Sequence, residues 1–212
     1  MKVTKYPQSH LVIEKNGFRI MIDPGNVTFA NGFSPEEFQG CDGYLITHTH
    51  SDHLDPENIR IVVGDNKVFG NEDVVNKLKE LGIEGQVVKN KETFKVGEFE
   101  IIAVDLPHCA LPEGMGEPPP NTGFIIDGVL FDPGDGYEAP EQLKVDNMVL
   151  AITGPTITTE GAIKFAQDLG VKVVIPIHYN GRFKADPEDF AKEATKLGME
   201  IRILNFGEET EV

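Results

Sequence analysis

The sequence predicts an α/β (α+β) fold, arranged as a four-layer αββα sandwich of two similar halves. Three observations predict it. Short β-branched runs recur along the chain, bounded by Gly, Pro, Asn or Asp. Helix start and stop signals fall between them. Residues 9–26, "SHLVIEKNGFRIMIDPGN", are echoed by 121–135, "NTGFIIDGVLFDPGD": strand, turn, strand, then Asp-Pro-Gly.

Taken in order, "HLVIE" and "FRIMID" read as a hairpin, and "GYLIT" as a buried strand after it. "FSPEEF" offers a helix start, with Ser34 as N-cap, Pro35 in the first turn and Glu37 completing a capping box. "GNEDVVNKLKELG" predicts a helix capped by Asn71, apolar at Val74, Val75, Leu78 and Leu81, and closed by Gly82. The strands "QVVK" and "FEIIAVD" follow. The segment 106–123 holds five prolines and no periodicity, which predicts a long loop of the kind that often carries function. In the second half, "GFIID" and "GVLFD" repeat the hairpin, and "MVLAIT" repeats the buried strand. "TTEGAIKFAQDLG" is a helix capped by Thr158 or Thr159 and closed at Gly170. It leads to the strand "VKVVIPIHY". "ADPEDFAKEATKLG" starts at Asp186–Pro187, closes at Gly198 and precedes "EIRILN", matching the helix–Gly–strand pattern of 74–88. With no linker or composition break, residues 1–212 read as a single domain whose two sheets pack face to face, loops from both halves meeting along one edge.

The net charge of −16 argues against a nucleic-acid or anionic-membrane partner, because polyanions are held by Lys and Arg surfaces. A small-molecule partner is the expectation, with oligomeric state unread. Two cysteines, Cys41 and Cys109, predict no disulfide framework. The N-terminus lacks the apolar stretch of a signal peptide, and no apolar run reaches the ~18 residues of a membrane span. The expected location is the cytoplasm.

The chemistry concentrates in "YLITHTHSDHLD", residues 44–55. His48 and His50 are two apart, which puts both side chains on one side only of an extended backbone. Asp52 and His53 are adjacent and face elsewhere once the chain turns. Imidazole with carboxylate suits Zn²⁺, with Mn or Fe as alternatives. A catalytic ion takes three protein ligands and keeps a position open. Four ligands on one loop therefore ask for two ions. His108, in the 106–123 loop, and His178, at a strand end, are candidates to complete them. "FDPGDG" offers a carboxylate from Asp132 or Asp135. Asp132 aligns with Asp23 in the internal echo and reads as a turn-stabilising device, whereas Asp135 is the acid peculiar to the second half.

These motifs resemble the metallo-β-lactamase superfamily. "THTHSDH" is similar to its His-x-His-x-Asp-His signature, and His108, the Gly-Asp of "DPGDG" and His178 in "IPIHYN" match its later metal motifs in order. "SHLVIEKNGFRIMIDPG" and "VVIPIHYNGRF" resemble the small hydrolase branch that holds ascorbate-phosphate lactonase-like proteins and uncharacterised Zn-dependent hydrolases. The resemblance covers most of residues 9–183. It implies a first metal on His48, His50 and His108, a second on Asp52, His53 and His178, and Asp135 as the bridge. It also implies a metal-bridging hydroxide that attacks a small ester, lactone, amide or phosphoester, with Asp52 and Asp135 catalytic. Asp23 is a candidate to hold a ligand imidazole, and His10 to face the site. Tyr179 and Asn180 are candidate oxyanion donors, and Arg182, with Lys184 near it, a candidate anion holder. Cys109 is expected to be a packed thiol.

Within the superfamily, secreted antibiotic-degrading members typically use Cys where Asp135 stands. Di-iron redox members typically carry Glu at the position of His50 and an electron-carrier domain, and RNA-processing members add a large inserted domain. The chain shows none of these features. A phosphodiesterase of the same fold is the alternative, and a non-catalytic metal-binding or ligand-sensing protein is the alternative from another class.

Overall fold

The computed structural model describes residues 1–138, 140 and 143–212. The first half contributes β1 (Lys2–Lys5), β2 (Leu11–Lys15), β3 (Phe18–Ile22), β4 (Gly43–Leu45), β5 (Val68–Gly70) and β6 (Gly85–Val87). The second contributes β7 (Thr93–Val96), β8 (Phe99–Leu106), β9 (Asn121–Ile126), β10 (Leu130–Asp132), β11 (Asn147–Ala151), β12 (Val173–Ile177) and β13 (Glu200–Ile201), and β14 (Glu209–Glu211) ends the chain. Among the described residues the strands form two seven-stranded sheets, ordered β14-β1-β2-β3-β4-β5-β6 and β13-β12-β11-β10-β9-β8-β7.

The internal echo is realised strand for strand. The β2–β3 and β9–β10 hairpins are antiparallel, and β3–β4 and β10–β11 are parallel pairs. Helices α1 (Asn26–Ala30), α2 (Ile59–Val63) and α3 (Glu72–Glu80) belong to the first half, and α4 (Thr159–Leu169) and α5 (Pro187–Thr195) to the second. Alternation along the strands builds the layers. Ile20 and Ile22 point between the sheets with Leu11, Ile13, Phe124 and Val149, while Met21 faces outward to the α2 and α3 side chains. Met148 and Leu150 likewise face α4 and α5. Because both faces of each sheet are covered, the central strands read as continuous apolar runs. Phe69 of β5 stacks on Phe94 of β7 at 4.9 Å between ring centroids, a contact between the two sheets.

Four differences from the sequence reading concern short elements. "FSPEEF" forms a single 3₁₀ turn, Pro35–Phe38, rather than an α-helix. "EIRILN" keeps only Glu200–Ile201 in the sheet. The apolar "IRIVV" is helical as α2. Strands β1, β5, β7 and β14, each of three or four residues, extend the sheets beyond the runs read from the sequence. Among the described residues, no helix is long and apolar enough to cross a membrane.

Candidate metal centre

The site forms where loops leave β4, β8, β10 and β12. After β4 the chain stays extended through Thr47. It then turns, with the His53 N–H donating to the His50 carbonyl at 2.9 Å. His48 and His50 converge, their rings 4.9 Å apart, and the turn brings the His53 ring to 3.9 Å from that of His48 while Asp52 joins His53 and His178. The turn fits because Gly25 passes beside it. A Cβ on Gly25 would lie 1.9 Å from the Asp52 carbonyl oxygen, so the Asp-Pro-Gly glycine is needed for this close approach. Gly134, its counterpart in the second half, has a φ of +57° and would set a Cβ 2.9 Å from that of Thr47.

Four of the imidazoles, those of His48, His53, His108 and His178, are held through Nδ1 and present Nε2. The His108 Nδ1–H donates to the Cys109 carbonyl at 2.7 Å, and the His178 Nδ1–H donates to the Thr153 carbonyl at 2.7 Å. The His53 Nδ1–H donates to Asp23 Oδ2 at 2.7 Å. His48 Nδ1 lies 3.0 Å from Thr47 Oγ1, whose hydroxyl donates to the same Asp23 oxygen at 2.6 Å. Asp23 thus orients two imidazoles, one directly and one through Thr47. This is the usual second partner of a metal-binding histidine.

The free nitrogens converge. His48 Nε2 and His50 Nδ1 are 3.1 Å apart, and with His108 they form one donor group within 4.8 Å. Asp52, His53 and His178 form another, with Asp52 Oδ2 3.2 Å from His178 Nε2. The Asp135 carboxylate lies between them, 3.5 Å from His53 Nε2, 3.5 Å from His178 Nε2 and 3.7 Å from His108 Nε2. Asp132 does something else. Its Oδ1 accepts the Gly134 N–H at 2.9 Å, closing its own turn, and burial with Asp23 nearby pushes its carboxyl up to about 8.

The electrostatics separate the groups. Burial and the neighbouring imidazoles hold His48 and His50 below the ordinary histidine value, which leaves both able to ligate a metal. Burial alone would lower His53 too, but Asp135, Asp23 and Asp52 outweigh it and push its imidazole up to about 10. The same balance of burial against Asp135 and Asp52 raises His178. Three buried or half-buried carboxylates around these rings demand positive charge. Among the described residues, His108 Nε2 and Asp135 Oδ1 are buried without a hydrogen-bond partner, and His178 Nε2 has the Asp52 carboxylate beside it. Stranded imidazole nitrogens facing a buried carboxylate are the signature of a metal site.

The centre floors a cavity of about 320 Å³, walled by Val27, Leu111, Met115, Pro155, Arg182 and Phe183. Leu111 and Met115 come from the 106–123 loop, which is therefore a cavity wall.

A beta-lactamase superfamily domain matches residues 2–178. The UPF0173 metal-dependent hydrolase of Nanoarchaeum equitans is 31% identical, covering 100% of this chain and 100% of its own. That of Pyrococcus furiosus is also 31% identical over 100% of each. A crystallised candidate metal-dependent hydrolase from Parabacteroides distasonis shares 27% identity over 96% of this chain and 92% of its own, with a TM-score of 0.78. The chain belongs to the metallo-β-lactamase superfamily.

The superfamily's αββα sandwich accounts for where the remaining predicted residues fall. Asp23 and Arg182 are at the site, Asp23 against His53 and Arg182 on the cavity wall. Three other expectations are corrected. His10 turns away, stacked on Tyr6 at 4.9 Å with Nδ1 3.1 Å from Thr28 Oγ1, because neighbouring Ser9 takes the site-facing direction. Burial pushes the His10 imidazole down to about 3. Tyr179 alternates with His178 and points into the outer core, its hydroxyl donating to the Leu204 carbonyl at 3.5 Å. Asn180 lines a neighbouring surface groove rather than the cavity and bridges to Lys184. Cys109 is a packed thiol that burial, reinforced by Asp135, pushes up to about 12, and Cys41 is buried and free as well.

Sequence reasoning missed Gln8, Ser9 and Asn121. Gln8 Nε2 donates to Asp52 Oδ2 at 3.0 Å, and Asn121 accepts the Asp135 N–H at 3.2 Å. Asn121 carried a faint signal, since it opens the second echo. Gln8 carried none.

Proposed function

We propose that this chain is a dinuclear metal hydrolase that cleaves a small ester, lactone, amide or phosphoester. The reading rests on one observation: a single carboxylate, Asp135, reaches both three-residue donor groups. Two divalent ions, Zn²⁺ foremost with Mn or Fe as alternatives, would supply a nucleophilic water at neutral pH and a Lewis acid for the electrophilic oxygen. His48, His50 and His108 would hold one, Asp52, His53 and His178 the other, with Asp135 shared. Asp52 is the half-exposed acid of the set and lines the cavity. Asp52 would orient the attacking water and take its proton. The apolar wall of Val27, Leu111 and Met115 excludes water from the substrate's body, and Arg182 offers a cation at the rim. A cavity of about 320 Å³ suits a small molecule rather than a polymer. The work is expected to take place in the cytoplasm.

The test combines metal counting with a substrate panel. Metal-replete protein is expected to carry close to two equivalents per chain. Metal-dependent turnover should appear among lactones, thioesters, activated esters and phosphodiesters. Asp135→Ala should lose that turnover by at least ~10³-fold, since removing a shared ligand disrupts both ions. Asp132→Ala should lose stability instead. One equivalent per chain under replete conditions sinks the dinuclear assignment, and turnover confined to phosphodiesters would select the phosphodiesterase. A silent panel would favour a ligand sensor.

A further inference from the structure

The turn that joins β1 to β2 touches the second donor group three times. Gln8 Nε2 donates to Asp52 Oδ2 at 3.0 Å, and the Gln8 carbonyl accepts the His178 N–H at 3.0 Å. Ser9 Oγ lies 3.4 Å from His53 Nε2. No hydrogen bond of these two residues goes to His48, His50 or His108 among the described residues. One short turn therefore meets every member of one group and none of the other.

The backbone points the same way. Among the described residues, six non-glycine residues have positive φ: Gln8, Asn16, Asp23, Lys91, Asp127 and His178. Asn16, Lys91 and Asp127 sit in turns between successive strands, where that conformation is ordinary. The other three all serve the second group. His178 belongs to it, Asp23 holds His53, and Gln8 holds Asp52 and the His178 backbone. Unfavourable backbone persists only where its surroundings over-determine it, and such residues gather at functional sites. The chain also clears room for this arrangement. A Cβ on Gly181 would lie 2.6 Å from Gln8 Oε1, so the glycine after Asn180 admits the buried carboxamide. A carboxamide is the right chemistry for the task. It donates to Asp52 without neutralising it, so the carboxylate keeps its charge while its orientation is fixed.

We propose that the Gln8–Ser9 turn positions the second donor group alone and sets the affinity of the second divalent ion independently of the first, so that Gln8 decides how readily the centre loads with two ions rather than one. This rests on the dinuclear reading, and the experiment separates the two. Metal-free full-length protein is titrated with Zn²⁺ by calorimetry, and with Co²⁺ followed by its visible spectrum. Wild type comes first: a single equivalent would overturn the dinuclear reading itself. With two equivalents established, Gln8→Gly is titrated, because glycine tolerates the positive φ and keeps the carbonyl that binds His178. The expected result is a second equivalent weakened about 10- to 100-fold with the first unchanged. Ser9→Ala should weaken the same equivalent by less. Should glycine loosen the fold, Gln8→Asn, which also tolerates positive φ but falls short of Asp52, must give the same split. Equal weakening of both equivalents, or wild-type affinity for both, overturns the proposal.

Discussion

At the scale of the residue, Lys5 shows how a buried charge is tolerated and at what cost. Its side chain is fully buried on β1, and among the described residues its Nζ has no hydrogen-bond partner. The ammonium instead lies 4.7 Å from the ring centroids of Tyr179 and Phe206. Those rings offset part of the desolvation cost. Burial still pushes the amine down to about 8, against 10.5 in an open chain. The sign of the consequence follows. Below pH 8 both folded and unfolded chains hold the proton, and the folded state carries the whole cost. Between pH 8 and 10.5 the unfolded chain binds more protons, so this residue's contribution to stability rises with pH. Lys5→Met should therefore be more stable than wild type at pH 7 by about 1–3 kcal/mol. The gap should narrow towards pH 10. Urea unfolding of both proteins at the two pH values measures it, and a gap that stays constant would show that Lys5 does not titrate in this window. Asp135 and Asp132 make the complementary point, since two acids three positions apart have opposite fates. One faces stranded imidazoles, and the other closes a turn.

At the scale of the element, helix caps divide into those that only cap and those that also stitch loops. Thr158 Oγ1 accepts the Gly161 N–H at 3.0 Å and opens α4. Thr158→Ala should cost about 1 kcal/mol, the ordinary value of a cap. Asn71 Oδ1 accepts the Val74 N–H at 3.0 Å and opens α3, but its Nδ2 also donates to the Pro120 carbonyl at 3.0 Å and approaches the Thr47 carbonyl at 3.3 Å. It joins the 106–123 loop to the residue that precedes His48. Asn71→Ala should cost about 2–3 kcal/mol, because it removes the cap and the stitching bonds to the Pro120 and Thr47 carbonyls as well. Paired denaturant titrations check the difference, and equal losses would show that the stitching bonds contribute nothing. Both caps were legible in the sequence, and so were α5, the two hairpins and the histidine-rich loop, because each carries a local signal. Helix α2 was not, since "IRIVV" is apolar throughout and lacks a periodicity that separates helix from strand. Strand β14, "ETE", is polar and lies at a sheet edge, where pairing to β1 rather than propensity makes it a strand. Gln8 was unreadable for a related reason. Its role depends on a contact with Asp52, 44 positions away, and on a backbone conformation that glutamine does not advertise.

At the scale of the whole molecule, the two donor groups proposed to hold the ions each draw on both halves. The loop after β4 supplies His48, His50, Asp52 and His53, while His108, Asp135 and His178 come from the second half. Each group draws on both, so an ion in either one ties the two halves together across the seam between the sheets. The unfolded chain has no such constellation, and binding to the folded state alone stabilises it by RT ln(1 + [L]/Kd), about 4 kcal/mol at a thousandfold excess over Kd. For a domain of this size, each kcal/mol moves the melting temperature by roughly 2–4 °C. Removal of metal by a chelator should therefore lower the melting temperature by roughly 8–16 °C, and Zn²⁺ should restore it. His178→Ala should retain part of the shift, because the His48, His50 and His108 group still spans the halves. Hydrogen exchange adds the test that melting alone lacks. On chelation, protection should fall in the loops after β8, β10 and β12 as well as in the loop after β4, since a shared ion holds both sides. Loss of protection confined to the histidine-rich loop would mean that the metal organises one segment, and that packing between the sheets alone joins the halves.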